Sequence, residues 1–134
     1  MRILLVDDHP SVRKSLIRLL RWEADIEVVG EAGDGKQAVE MTRTLRPDIV
    51  LMDIAMPALN GIEATRRIHA EQPQVLVIGL SMFEDEKQAK PVLDAGAVAY
   101  VSKTESADAL LARVRACYRR ASGSNGTQLE MPLK

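Results

Sequence analysis

Aromatic side chains are almost missing from this chain: one tryptophan, two tyrosines and one phenylalanine are spread over 134 residues. Its core must therefore be aliphatic, built from Val, Ile, Leu, Ala and Met. Cysteine occurs once, as Cys117, which excludes an intramolecular disulfide and any multi-cysteine metal site and suits a reducing compartment. Neither sign of charge dominates. Eighteen basic residues against 19 acidic ones leave a formal net charge of −1, without the basic surplus of a nucleic-acid-binding domain. Long hydrophobic runs are also lacking: the first apolar stretch, Ile3 to Val6, stops at Asp7, too early for a signal peptide or a membrane span. The expectation is a single soluble cytoplasmic domain, large enough to bury a core without disulfides, with no membrane and no direct nucleic-acid contact.

What is present is an alternation. Five short apolar runs, Ile3 to Val6, Ile26 to Ala32, Ile49 to Met52, Val75 to Leu80 and Ala99 to Ser102, are separated by longer amphipathic segments. Several runs are continuous in Val, Ile and Leu, as strands buried on both faces should be. Between them, Val12, Leu16, Leu19 and Leu20 form a helical stripe, as do Ala38, Met41 and Leu45, then Ile62, Thr65 and Ile68, then Leu110, Leu111, Val114 and Cys117. Asp8 with Pro10, Asp34 and Ser106 supply helix start signals. Strict alternation of five strands and five helices predicts a parallel sheet covered on both sides through right-handed crossovers. Pro91 falls inside the fourth helical segment, which is therefore expected to be short or displaced. From about Ala121 the chain turns small and polar and reads as a flexible tail over 121–134, after a domain over 1–120.

Chemistry is expected where the strands end, because open α/β sheets bind ligands beyond the carboxyl ends of their strands. The first run ends in Asp7 and Asp8, the third in Asp53, the fourth in Ser81 and the fifth in Ser102 and Lys103. Three carboxylates gathered at one edge repel by about 4 kcal/mol per pair at ~4 Å and an effective dielectric of 20. A hard divalent cation relieves that repulsion, and Mg²⁺ favours a few carboxylates plus water and phosphate oxygens. A carboxylate can also attack phosphorus, with Mg²⁺, a lysine and a hydroxyl sharing the charge of the transferred group.

The segments LLVDDHP, DIVLMDIAMPALNGIE, GLS, LDAGAVAY and VSK, in this order and spacing, resemble the successive signatures of two-component receiver domains over Met1 to Arg120. The resemblance implies a doubly wound, flavodoxin-like sheet in the order 2-1-3-4-5. It implies that Asp53 accepts a phosphoryl group from the phosphohistidine of a sensor histidine kinase or phosphotransfer protein. Asp8 would bind Mg²⁺ directly, Asp7 would hold it through water, Asp53 would share it, and the carbonyl of Ala55 would add a ligand. Ser81 and Lys103 would contact the phosphoryl group, and Tyr100 would turn with Ser81 to remodel the surface of helix 4, strand 5 and helix 5. DDHP, and a lysine not followed by proline, resemble the subfamily joined to a C-terminal helix-turn-helix; similar receivers also close some hybrid sensor kinases. Thr104 stands where many relatives have a proline, and Met82 where smaller residues are common.

Plainer readings compete with each assignment. Asp8 alone would be a helix cap, Lys103 a solvated lysine, Ser81 a strand terminator and Tyr100 an edge aromatic; their joint placement favours the site. His9 and His69 lack a third ligand in the pattern and read as structural or exposed, and Cys117 as core. Gly30, Gly35 and Lys36 match part of a P-loop, but Gln37 stands where Ser or Thr must bind Mg²⁺, so the glycines read as a turn into the second helix. The expected function is a phosphorylation switch that catalyses only its own phosphoryl transfer and dephosphorylation, carries no output domain and acts on an unknown partner, with a homodimer on activation as one outcome. The alternative is a receiver-shaped interaction module independent of phosphate.

Overall fold

A computed structural model of the chain describes residues 1–54, 61–81, 86–103 and 105–127. Its elements alternate throughout: β1 (Arg2–Val6), α1 (Pro10–Arg21), β2 (Glu27–Ala32), α2 (Gly35–Leu45), β3 (Ile49–Asp53), α3 (Gly61–Glu71), β4 (Leu76–Ser81), α4 (Glu86–Asp94), β5 (Ala99–Ser102) and α5 (Ala107–Thr127). The five strands form one parallel sheet in the order β2-β1-β3-β4-β5, the predicted doubly wound architecture.

Because side chains alternate across a strand, each continuous apolar run serves two cores at once. Ile3, Leu5, Ile49, Leu51, Ile78, Leu80 and Val101 face α1 and α5. Leu4, Val6, Val50, Met52 and Val77 face α2, α3 and α4, and Tyr100 packs partly buried against this second cluster. Full burial of one such side chain stabilises the fold by about 1.5–3 kcal/mol. On α1 the fully buried residues are Ile17 and Leu20, while Val12, Leu16 and Leu19 are only half-buried, so the stripe is rotated from the predicted one. Cys117 is buried in the α5 cluster as expected.

Helix starts follow local chemistry, with one correction. Asp34 caps α2 by accepting from the Gln37 amide at 2.8 Å, and the Ser106 hydroxyl accepts from the Ala109 amide at the start of α5. Asp8 does not cap α1: the N-cap is His9, with no side-chain capping bond, and Pro10 opens the helix with the ring-fixed φ that suits its first turn. The glycines of the P-loop fragment also separate. Gly35 opens α2, but Gly30 lies within β2, where a Cβ would meet Leu45 and Met41 at 2.9 Å. That glycine lies under the side-chain ends of α2 and not in a turn.

The helix α4 is the shortest of the helices described, nine residues, and it runs through Pro91. The helix α5 continues to Thr127, seven residues past the point where composition alone predicts a tail. No proline interrupts 121–127, and extending a formed helix needs no new nucleus. Near its middle, Arg115 reaches the turn between α1 and β2, donating to both carboxylate oxygens of Asp25 at 2.8 and 2.9 Å and to Glu23 at 2.6 Å.

Two outcomes follow from these contacts. Gly96 has φ +120°, and a Cβ there would lie 2.4 Å from Cγ of His69. Gly96→Ala is therefore expected to lose about 1–3 kcal/mol, read as a lower urea midpoint at unchanged slope. The hydrogen bond from Arg115 holds the Asp25 carboxyl below the usual carboxylate range. A depressed folded pKa gives stability that is present above that range and lost as pH falls through it. Melting temperatures between about pH 6 and about pH 3 should therefore fall less steeply in Arg115→Gln than in the parent chain.

Candidate functional site

The strand order reverses between β1 and β3, since β1 connects to β2 on one side and β3 leads to β4 on the other. A crevice opens there at the carboxyl edge, and the sequence places Asp7 and Asp53 at its two lips. Both are buried, as is Ser81 at the end of β4. Lys103, one residue beyond β5, has a side chain only 5% exposed. Its Nζ lies 2.5 Å from Oδ2 of Asp7 and 3.3 Å from Oδ2 of Asp53. The lysine backbone is fixed as well, because its amide donates to the Ser81 carbonyl at 2.6 Å. One ammonium thus lies between two buried carboxylates drawn from the central strands.

Asp8 stands beside this pair but is partly solvated, with a side chain 26% exposed. Its Oδ1 is nonetheless shielded from solvent and, among the described residues, accepts no hydrogen bond. His9 Nδ1 approaches that oxygen to 3.0 Å without hydrogen-bonding geometry, and Oδ1 of Asp7 to 3.4 Å. Asp7 Oδ1 instead accepts from the His9 amide at 2.9 Å. One donor atom from each of Asp7, Asp8, His9 and Asp53 lies within 4.8 Å of the others. Three carboxylates with one oxygen left unpaired suit a hard divalent cation such as Mg²⁺, for which imidazole nitrogen is the less favoured ligand.

The structure therefore brings together Asp7, Asp8, Asp53, Ser81 and Lys103 at one edge. Tyr100 lies one strand position from Val101, on the α2–α4 side, and its register partner is Gly79 of β4. Ala55, Met82 and Thr104 lie outside the described residues. His9 is 65% exposed, in line with the expectation of a structural or exposed residue, and it also borders the acidic cluster, directly after the two aspartates. Gly61 is also more than a motif letter. A Cβ there would fall 2.2 Å from the Asp53 carbonyl oxygen, so α3 starts in direct backbone contact with the acid. Sequence reasoning missed Arg13 altogether: its Nη1 donates to the Asp7 carbonyl at 2.6 Å and its Nε to Glu31 at 2.8 Å.

Fold and site together define a doubly wound α/β domain with an acidic, lysine-bridged crevice at its switch point. The chain belongs to the response regulator receiver domain family, whose sequence profile matches residues 3–115. It is 42% identical over 116 residues to the transcriptional regulatory protein LiaR of Bacillus subtilis, covering 87% of this chain and 55% of that one. It is 40% identical over 122 residues to the response regulator protein VraR of Staphylococcus aureus, covering 91% of this chain and 58% of VraR. The chain thus spans a little over half the length of these relatives. Among solved structures, a two-component response regulator of the LuxR family from Aurantimonas sp. SI85-9A1 superposes with a TM-score of 0.85 at 36% identity, over 89% of this chain and 85% of that one. A chain of the CheX-CheY-BeF3-Mg+2 complex from Borrelia burgdorferi gives 0.82 at 28% identity, over 88% and 89%. Phosphorylation and Mg²⁺ are typical of this family, and no helix among the described residues is long and apolar enough to cross a membrane.

The buried bridge carries a stability consequence. Removing the lysine leaves two carboxylates buried and uncompensated, so Lys103→Met is expected to cost about 3–5 kcal/mol in urea unfolding with EDTA present. Adding Asp7→Asn to that variant should recover part of the loss, a coupling that a double-mutant cycle measures directly.

Proposed function

We propose that this chain is a phosphorylation-dependent signalling switch in which Asp53 is the phosphoacceptor. The observation that carries the reading is the convergence of buried Asp53 with Asp7, Lys103 and Ser81, beside a partly solvated Asp8 whose Oδ1 has no hydrogen-bond partner among the described residues. In the transfer step an Asp53 carboxylate oxygen forms a bond to phosphorus as the bond from phosphorus to a kinase imidazole nitrogen breaks, and a proton already on the other ring nitrogen lets the donor leave as neutral histidine. Asp7, Asp8 and Asp53, with the Ala55 carbonyl, would hold Mg²⁺, which when bound offsets charge on the phosphoryl oxygens.

The other groups act through their positions. Lys103, already within 3.3 Å of Asp53, pairs with the charge of ≈ −1.5 to −2 that the modification brings. The Ser81 hydroxyl, at the end of the neighbouring strand, donates to a phosphoryl oxygen. Drawing Lys103 from Asp7 and Ser81 from its resting contacts favours a second arrangement of Tyr100 and α4 that already exists in the unmodified population. Leu93 of α4 and Val98 beside β5 are both 43% exposed, apolar ground for a partner on the surface that changes. That partner, the cognate kinase and a homodimer formed on activation belong to the same proposal. The chain turns over no substrate besides its own acyl phosphate.

The test is intact mass after incubation with Mg²⁺ and acetyl phosphate. One phosphoryl adduct is expected, lost in Asp53→Asn and lost with EDTA. A folded, Mg²⁺-replete chain that takes no adduct would overturn the switch in favour of a phosphate-independent interaction module.

A further inference from the structure

The geometry points to Arg13 as a positioning residue that orients Asp8 for divalent-cation binding by clamping the peptide between Asp7 and Asp8. This inference rests on the cation site proposed above. Arg13 lies on α1 at i−4 and i−7 from the buried Ile17 and Leu20, so a charged side chain occupies the inward stripe of the helix. Its side chain is 19% exposed, and both side-chain hydrogen bonds leave its own helix. Nη1 donates to the Asp7 carbonyl at 2.6 Å, and Nε donates to Glu31 on the edge strand at 2.8 Å.

The consequence follows from peptide planarity. The Asp7 carbonyl and the Asp8 amide belong to one rigid plane, so fixing the carbonyl direction fixes where the Asp8 Cα lies and narrows the directions open to its side chain. The plane's other neighbour is held too: the Asp7 amide donates to the Ala32 carbonyl at 3.0 Å. The Asp7 carboxylate is itself fixed by the His9 amide and Lys103. Asp8 is held less firmly: its Oδ1 accepts no hydrogen bond among the described residues and has only the exposed His9 imidazole 3.0 Å away. Its orientation toward Asp7 and Asp53 therefore depends on the backbone, and the backbone there depends on Arg13. Glu31 neutralises the guanidinium, so what Arg13 supplies is direction rather than charge. A planar fork with two donors in fixed relation suits that task, and a lysine ammonium does not.

Mg²⁺ affinity, measured by isothermal titration calorimetry on the full chain without phosphodonor, tests this directly. Arg13→Met is expected to weaken Mg²⁺ binding about ten-fold, in line with residues that orient metal ligands. Arg13→Lys, which keeps the charge and the stem, should weaken it by about as much, because charge is not the contribution. The rate of acetyl phosphate labelling should recover in both variants once Mg²⁺ is saturating. If Arg13→Met does not fold by circular dichroism, Arg13→Lys and Glu31→Gln carry the test, the latter expected to lose roughly three-fold by freeing one end of the clamp. A folded variant that binds Mg²⁺ within two-fold of the parent overturns the inference while leaving the site intact. Labelling that saturating Mg²⁺ fails to restore overturns it as well, since the defect would then lie beyond cation binding. A parent chain that binds no Mg²⁺ overturns the site itself and the inference with it.

Discussion

Two carboxylates and an ammonium, buried where β1, β3 and β5 end, set the terms for the rest of the molecule. A lone buried acid is tolerated only when its charge is paired, and Lys103 pairs two at once across 96 residues of sequence. The sheet order brings this about, because only with β1 and β3 adjacent and β5 on the same side can one lysine reach both acids. The aliphatic core gives the sheet its shape, and the sheet brings the charges together. The arrangement leaves one carboxylate in excess at the buried centre and Asp8 as a further acceptor at its rim.

Much of this was legible in the sequence, and the reason is geometric. A strand buried on both faces must be apolar throughout, so its first polar residue marks the end of the run and the edge of the sheet together. Asp7, Asp53, Ser81 and Lys103 were found that way, with no knowledge of which strands are neighbours. Strand boundaries agree within a residue or so for the same reason, as Ile49 to Met52 against Ile49–Asp53 shows. The reading failed where a residue's role depends on another element. Asp8 has the chemistry of a helix cap and precedes a proline, yet the cap position falls one residue later. Gly30 looks like turn punctuation until Leu45 and Met41 are seen lying against it. Arg13 looks like any helical arginine, and only the rotation of α1, with Ile17 and Leu20 inward, shows that it points toward β1 and β2.

The two faces of the sheet are loaded differently. On one, α1 and α5 share a cluster with the strands and are tied further by Arg115 to the turn after α1. On the other, α2 and α3 are joined by the Arg43–Glu71 pair, while α4 rests on α3 and β5. An exposed ion pair adds little energy, but each fixes the relative rotation of two elements. Among the described side chains of α4, Lys90 pairs with Asp94 inside the helix.

Pro91 gives that asymmetry a further meaning. A proline in the sixth position of α4 cannot donate to the carbonyl one turn earlier, so this nine-residue helix lacks one bond of its ladder. Its place against Val92's surroundings is decided by packing, not by the continuity of its own backbone bonds. In the language of hydrogen exchange, α4, the shortest helix described and one backbone bond short at Pro91, is the helix expected to open at least cost to the amides of the rest of the domain.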